Sequence, residues 1–171
     1  EDDQQAVDQE GHYCYIKHDQ QESEHHHSFQ YFSKSMNSKE YALIVAGGKG
    51  TRINSKIPKQ FLELNGLPVL MHTLLAFYRY SENITVVLVL PEDDIPVWYS
   101  LCKQHNFVKP LIVQTGGETR FQSVKNGLQK IDGDGLVAIH DGVRPLISED
   151  IIAACFRLPA IHQSPIASVH L

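Results

Sequence analysis

Residues 41–62 read YALIVAGGKGTRINSKIPKQFL, and the rest of the chain is organised around them. Tyr41 to Ala46 is a short apolar run of the kind needed by a strand buried on both faces. Gly47 and Gly48 follow at once, then Lys49, Gly50, Thr51 and Arg52, and, after a polar loop, Pro58-Lys59-Gln60. Glycine admits a ligand where a Cβ would clash, and successive free N–H groups in such a turn cradle anionic oxygens. Arg52 and Lys59 stand on this stretch with no acidic residue between Tyr41 and Leu62 to neutralise them. A glycine turn at the end of a strand, joined to uncompensated positive charge, prepares a site for phosphates.

Two familiar phosphate loops do not fit. The Walker pattern G-x-x-x-x-G-K-[ST] fails because Leu43 holds its first glycine position and Gly50 follows Lys49 where Ser or Thr is required. The dinucleotide fingerprint G-x-G-x-x-G can begin at Gly48, but Ile53 replaces its last glycine. An ordinary glycine turn with solvated lysines accounts for the glycines alone. It does not account for the full string with Arg52 and Lys59.

The chain has 171 residues, enough for one domain with a real core. Its formal net charge of −5 is unevenly spread: residues 1–40 hold nine acids against three lysines, and residues 41–171 hold eleven acids against twelve bases. The body is therefore near neutral, and no basic face for nucleic acid is expected. Cys14, Cys102 and Cys155 are odd in number and widely spaced, which argues against a disulfide framework or zinc site and for a reducing compartment. No apolar run approaches the roughly 20 residues that cross a bilayer, and the acidic start, Glu1-Asp2-Asp3, is unlike a signal or transit peptide. A cytoplasmic protein without a membrane partner is expected.

Residues 1–40 are polar and without apolar periodicity, so a disordered or loosely attached extension is expected there. Five of the ten histidines lie in it, including His25-His26-His27, and a solvated tail accounts for them better than a metal site. Met36 is a candidate natural start, and deleting everything before it is expected to leave the thermal midpoint unaltered. Beyond residue 60 the pattern alternates. Phe61 to Leu64 and Asn65-Gly66 predict an extended segment ending in a tight turn. Pro68 opens a helix with Leu70, Leu74, Phe77 and Tyr78 on its apolar face, and Ile84 to Leu90 is a buried strand closed by Pro91. Asp94 starts a helix with Val97, Leu101 and His105 on one side, and Val108 to Gln114 is an edge strand because it contains Pro110. Gly116-Gly117 opens a second loop, and Arg120 leads into a helix with Phe121, Val124, Leu128 and Ile131 on one face. Leu136 to His140 is a strand that runs into Asp141-Gly142-Val143-Arg144-Pro145. Ser148 caps a helix from Glu149 to about Arg157, and Ile166 to His170 is a last strand.

Strands alternating with helices predict an α/β fold of three layers, a mostly parallel sheet with helices on both faces. Ligands bind beyond the carboxyl ends of such strands. The loops after Ala46, Gln114 and His140 all emerge at that edge, where they converge on one crevice.

Taken together, A-G-G-x-G-T-R with P-K-Q, G-G-E-T-R-x-x-S-V at Gly116 to Val124, and H-D-G-V-R-P at His140 to Pro145 resemble one family. It is that of 2-C-methyl-D-erythritol 4-phosphate cytidylyltransferase, from the non-mevalonate route to isoprenoid precursors. The likeness runs from about Tyr41 to Phe156, and the ribitol 5-phosphate cytidylyltransferases share the three motifs. The resemblance implies a Rossmann-like nucleotidyltransferase fold, CTP and a polyol phosphate as substrates, pyrophosphate as a product, and a requirement for Mg2+.

By the same resemblance, Arg52 and Lys59 match the catalytic Arg and Lys that hold the phosphates and stabilise the transition state. Gly48, Lys49, Gly50 and Thr51 belong to the matching triphosphate loop. Ala46, Gly47, Gly117, Glu118 and Ser123 match the cytosine pocket. A carboxylate or carbonyl there accepts the cytosine amino protons, where uracil would present a carbonyl. The family often has Asp at the place of Glu118, and Ser123 by itself reads equally as an early-helix serine. Asp141 matches the acidic residue near the metal and acceptor, and Arg144 a residue shaping the acceptor side. These two also stand close enough in sequence to pair with each other across a turn. The family continues well beyond Leu171 with a homodimer arm, further acceptor-binding residues and a late Lys; without counterparts to these, the fold is expected to be incomplete at its C-terminus.

Overall fold

The structure is a computed structural model and describes residues 13–17, by their backbone, with 39–47, 57–133 and 135–157. Two central strands explain the architecture. In β2, Lys39–Val45, the five side chains from Tyr41 onward are buried, as are five in β5, Thr85–Leu90. Strands apolar on both sides must be covered on both faces. In β2 the alternation divides the core: Ala42 and Ile44 face one layer, Tyr41, Leu43 and Val45 the other.

Five strands form the main sheet in the order β1-β7-β2-β5-β6, with β1 at Tyr13–Lys17, β6 at Ile112–Thr115 and β7 at Gly135–Asp141. β7, β2, β5 and β6 run parallel; β1 joins β7 antiparallel, Tyr13 opposite Ile139 and Lys17 opposite Gly135. Helices α1 (Val69–Tyr80), α2 (Asp94–Gln104) and α4 (Glu149–Arg157) cover one face, contributing Leu70, Leu74, Phe77, Trp98, Ile152 and Phe156. Helix α3 (Arg120–Leu128) covers the other, where Val124 and Leu128 pack against Leu43, Val89 and Val137. The expected three-layer α/β fold is therefore observed.

From β2 the chain moves outward to β5 and β6, then returns to place β7 on the opposite side of β2. The order reverses between β2 and β7, and the crevice at such a switch point is where parallel sheets bind ligands. The loops leaving Val45, Thr115 and Asp141 all lie at this carboxyl edge.

Several local expectations are corrected. Tyr13–Lys17, within the stretch expected to be a disordered or loosely attached extension, pairs with β7. Its run of Tyr, Cys, Tyr and Ile suits a strand, but five residues are too few to register as a period in a polar stretch. The strand expected from Val108 begins only at Ile112: Pro110 has no N–H to donate, and its carbonyl accepts instead from the Tyr78 hydroxyl. Pro68 is the residue before α1 rather than its first, and it closes a hairpin of β3 (Glu63–Leu64) and β4 (Leu67–Pro68). The predicted tight turn is there, with φ of 50° at Asn65 and 81° at Gly66. In α2 Trp98 is the buried residue and Val97 is exposed, and in α3 Phe121 is exposed while Ser123 and Gly127 are buried. The strand expected at Ile166 to His170 lies outside the described residues. Among the described residues, no helix is long and apolar enough to cross a membrane.

Candidate active site

The first loop leaves β2 through Ala46 and Gly47. The Ala46 amide donates to the Val89 carbonyl at 2.9 Å, so the chain is still tied to the sheet where the turn begins. Gly48, Lys49, Gly50, Thr51 and Arg52 lie outside the described residues. The loop returns at Lys59, in a short 3-10 turn over Lys59–Phe61. Phe61 is buried in the core, and buried Gln60 donates to the Asp94 carboxylate at 2.7 Å. That carboxyl is held above the usual carboxylate range, first by burial and further by neighbouring Asp93, with the Gln60 bond opposing. These anchors fix the backbone of Lys59 while its side chain stays half-buried. Ion pairs among the described residues involve Arg79, His105, Lys109, Arg120 and Arg144, and none includes Lys59.

The second loop is built around the start of α3. Thr119 caps the helix: its hydroxyl accepts from the Gln122 amide at 3.1 Å, and the Gln122 side chain accepts from the Thr119 amide at 3.3 Å. Ser123 is buried, accepts from the Gly117 amide at 3.0 Å and reaches the Thr119 carbonyl at 3.0 Å. Its described contacts thus brace the loop from within. Glu118 is exposed beside it.

The third loop begins at Asp141 and lies against the first. The Gly142 amide donates to the Val45 carbonyl at 2.9 Å, and its carbonyl accepts from the buried Thr73 hydroxyl at 3.0 Å. A Cβ on Gly142 would stand 2.7 Å from the Cβ of Ala46, so only glycine permits this approach of the two loops. Asp141 pairs with two guanidinium groups. Arg120 Nη2 lies 3.0 Å from its Oδ1, and Arg144 Nε lies 3.4 Å from its Oδ2.

The structure therefore brings Ala46, Gly47, Gly117, Ser123, Asp141 and Arg144 to one edge, with Gly142 seated on Ala46. The turn pairing of Asp141 with Arg144 is realised, but as half of a three-membered group. Its third member, Arg120, has no role in the sequence reading beyond opening α3. A signal for it was present. Helix N-termini favour anions, by about 0.3–1 kcal/mol, so an arginine at the first helical position points to an acidic partner.

Asp141 brings one carboxylate to a possible magnesium ion, and no cluster of three His, Cys, Asp or Glu forms among the described residues. Each carboxylate oxygen keeps a lone pair beyond its guanidinium contact. Such a site fits an ion carried mainly by substrate phosphates and water, with Asp141 supplying one ligand.

A model of the 2-C-methyl-D-erythritol 4-phosphate cytidylyltransferase family matches residues 41–170. The enzyme of that name from Bacteroides fragilis is 55% identical over 115 residues, which are 67% of this chain and 52% of that protein. Its counterpart in Porphyromonas gingivalis is 54% identical, over 72% of this chain and 54% of the relative. Among solved structures, 4-diphosphocytidyl-2C-methyl-D-erythritol synthase from Anaerococcus prevotii superposes with a TM-score of 0.58 at 28% identity, covering 73% of this chain and 54% of that one. The chain spans about half the length of the curated relatives it matches. With three loops meeting at the switch point and this match over them, the chain belongs to the 2-C-methyl-D-erythritol 4-phosphate cytidylyltransferase family.

Proposed function

We propose that the chain binds CTP across its first and second loops and transfers the cytidylyl group to 2-C-methyl-D-erythritol 4-phosphate, releasing pyrophosphate. The observation that carries this is the meeting of the three motif loops at the β2–β7 switch point, within the stretch matched by the family. A phosphate oxygen of the acceptor attacks the α-phosphorus, an O–P bond forms, and the bond to the β-phosphate oxygen breaks. Charge builds on the equatorial oxygens and on the departing pyrophosphate, so positioning and fixed positive charge supply most of the catalysis. Lys59, unpaired with any described carboxylate, and Arg52 supply that charge. The stretch 47–51 receives the triphosphate, and Glu118 with the Ala46–Gly47 and Gly117 backbone reads the cytosine edge. Asp141 and Arg144 orient the acceptor. Magnesium, when bound with the triphosphate, draws charge from its oxygens and eases departure of pyrophosphate. Cys102 is a free thiol, which supports a reducing, cytoplasmic setting.

A nucleotide panel tests the base assignment. CTP with magnesium should raise the thermal midpoint more than UTP, GTP or ATP at equal concentration. Stronger protection by UTP or GTP would overturn the cytidylyl reading while leaving a nucleotidyltransferase.

A further inference from the structure

We propose that Thr73 is a positioning residue for acceptor binding, its buried hydroxyl fixing the Asp141–Arg144 turn from within the core; this rests on the function proposed above. Among the described residues, four polar side chains are buried: Gln60, Thr73, Ser123 and His140. Gln60 anchors the first loop and Ser123 braces the second. Thr73 stands on α1 among buried Leu70, Met71 and Leu74, where an apolar side chain would leave no polar group to satisfy. What the hydroxyl brings is a bond to the Gly142 carbonyl at 3.0 Å, 69 residues along the chain. That bond is shorter than the 3.3 Å contact to Val69 within its own helix, so the position serves the third loop.

The carbonyl it holds belongs to the middle of a turn. The Arg144 amide donates to the Asp141 carbonyl at 3.2 Å, which makes Gly142 and Val143 the central residues. Neither has a positive φ, which excludes the type II arrangement with its central peptide turned over. Turning it over would force left-handed backbone on β-branched Val143. Without a donor on α1, the buried carbonyl reaches another partner by opening the turn. The Gly142 amide stays tied to Val45, so the displacement falls on Arg144 more than on Asp141. The Arg144–Asp141 ion pair closes within the turn and is partly exposed, so it does not fix the turn to the domain. The nucleotide side is anchored separately, through the Ala46 amide on Val89. Thr73 therefore governs affinity for the acceptor and not for the nucleotide.

Calorimetric titration with a non-hydrolysable CTP analogue, and then with 2-C-methyl-D-erythritol 4-phosphate at saturating analogue, tests this in the parent, Thr73→Val and Thr73→Ser. Thr73→Val should bind the acceptor about 3–10-fold more weakly, the equivalent of one net hydrogen bond, with affinity for the analogue unchanged. Amide exchange at Arg144 should quicken by a similar factor, because its bond to Asp141 opens more often. Thr73→Ser keeps the hydroxyl and should restore both values. Parent-like acceptor affinity in Thr73→Val, beside a parent that binds both ligands, would overturn the inference alone. An equal fall for both ligands would also overturn it, since a residue that merely packs the core has no reason to favour one side of the site. So would a loss that Thr73→Ser fails to restore. A parent that binds the analogue but not the acceptor would overturn the functional reading, and this inference with it. Should Thr73→Val fail to fold by circular dichroism, Thr73→Cys, whose thiol is a weak donor, decides between the same outcomes.

Discussion

Asp141 carries one negative charge between two guanidinium groups, and with exposed Glu118 counted the described ligand edge is near neutral until Lys59 is added. Lys59 adds a cation that no described carboxylate offsets, on a turn pinned by Phe61 and Gln60 rather than by its own side chain. Lys59→Ala should therefore leave the fold and thermal midpoint intact while lowering turnover about 10²–10³-fold, by analogy with the loss of one oxyanion-hole donor. Steady-state pyrophosphate release beside a melting curve checks this, and equal rates would remove Lys59 from the mechanism. Lys59, Asp141 and Arg144 could be singled out as candidates because each stands inside a short motif whose chemistry is local. Arg120 was not, because its partner lies across the sheet order, and only the topology brings the two together. Ser123 was legible as a position but not as a brace, since its hydrogen bonds depend on how the loop folds back.

At the scale of elements, α3 shows where periodicity misleads. Val124, Leu128 and Ile131 face the sheet as their spacing predicts, yet Phe121 is exposed and the helix residues buried deepest are Ser123 and Gly127. Close approach of a helix to a sheet asks for small residues, which an apolar-periodicity reading passes over. Gly127 marks the tightest point: a Cβ there would stand 2.3 Å from Leu43 Cδ1 and 2.8 Å from Val89 Cγ2. Gly127→Ala gains about 1 kcal/mol of helix propensity, but overpacking in a filled core costs about 1–3 kcal/mol. The packing penalty should win, with a lower midpoint in denaturant unfolding. An unchanged or raised midpoint would mean that α3 can move off the sheet freely. The buried strands, by contrast, were legible almost to the residue. Runs such as Thr85–Leu90 are apolar on both faces, and nothing else in the chain competes for that role.

For the molecule as a whole, the sheet order sets where chemistry can occur, and β1 sets how one edge is closed. The five-pair ladder of β1 with β7 covers an edge that would otherwise offer unpaired backbone groups. Ordering five residues costs on the order of 5–10 kcal/mol, while each ladder bond returns about 1 kcal/mol net. The strand is therefore close to balance in stability, and its larger effect is on association. Deleting residues 1–35 should shift the thermal midpoint by no more than a few degrees but raise the apparent mass in light scattering as concentration increases. A deletion variant that stays monodisperse at every concentration would mean that β1 does not guard the edge.

The central claim is that the β2–β7 crevice joins CTP to a polyol phosphate. Its most direct test is pyrophosphate release by the parent chain with CTP and magnesium, comparing 2-C-methyl-D-erythritol 4-phosphate, ribitol 5-phosphate and no acceptor. The expected result is release that depends on the acceptor and is fastest with 2-C-methyl-D-erythritol 4-phosphate. Preference for ribitol 5-phosphate would contradict the substrate assignment, and no release with either acceptor, despite CTP binding, would contradict turnover by this chain.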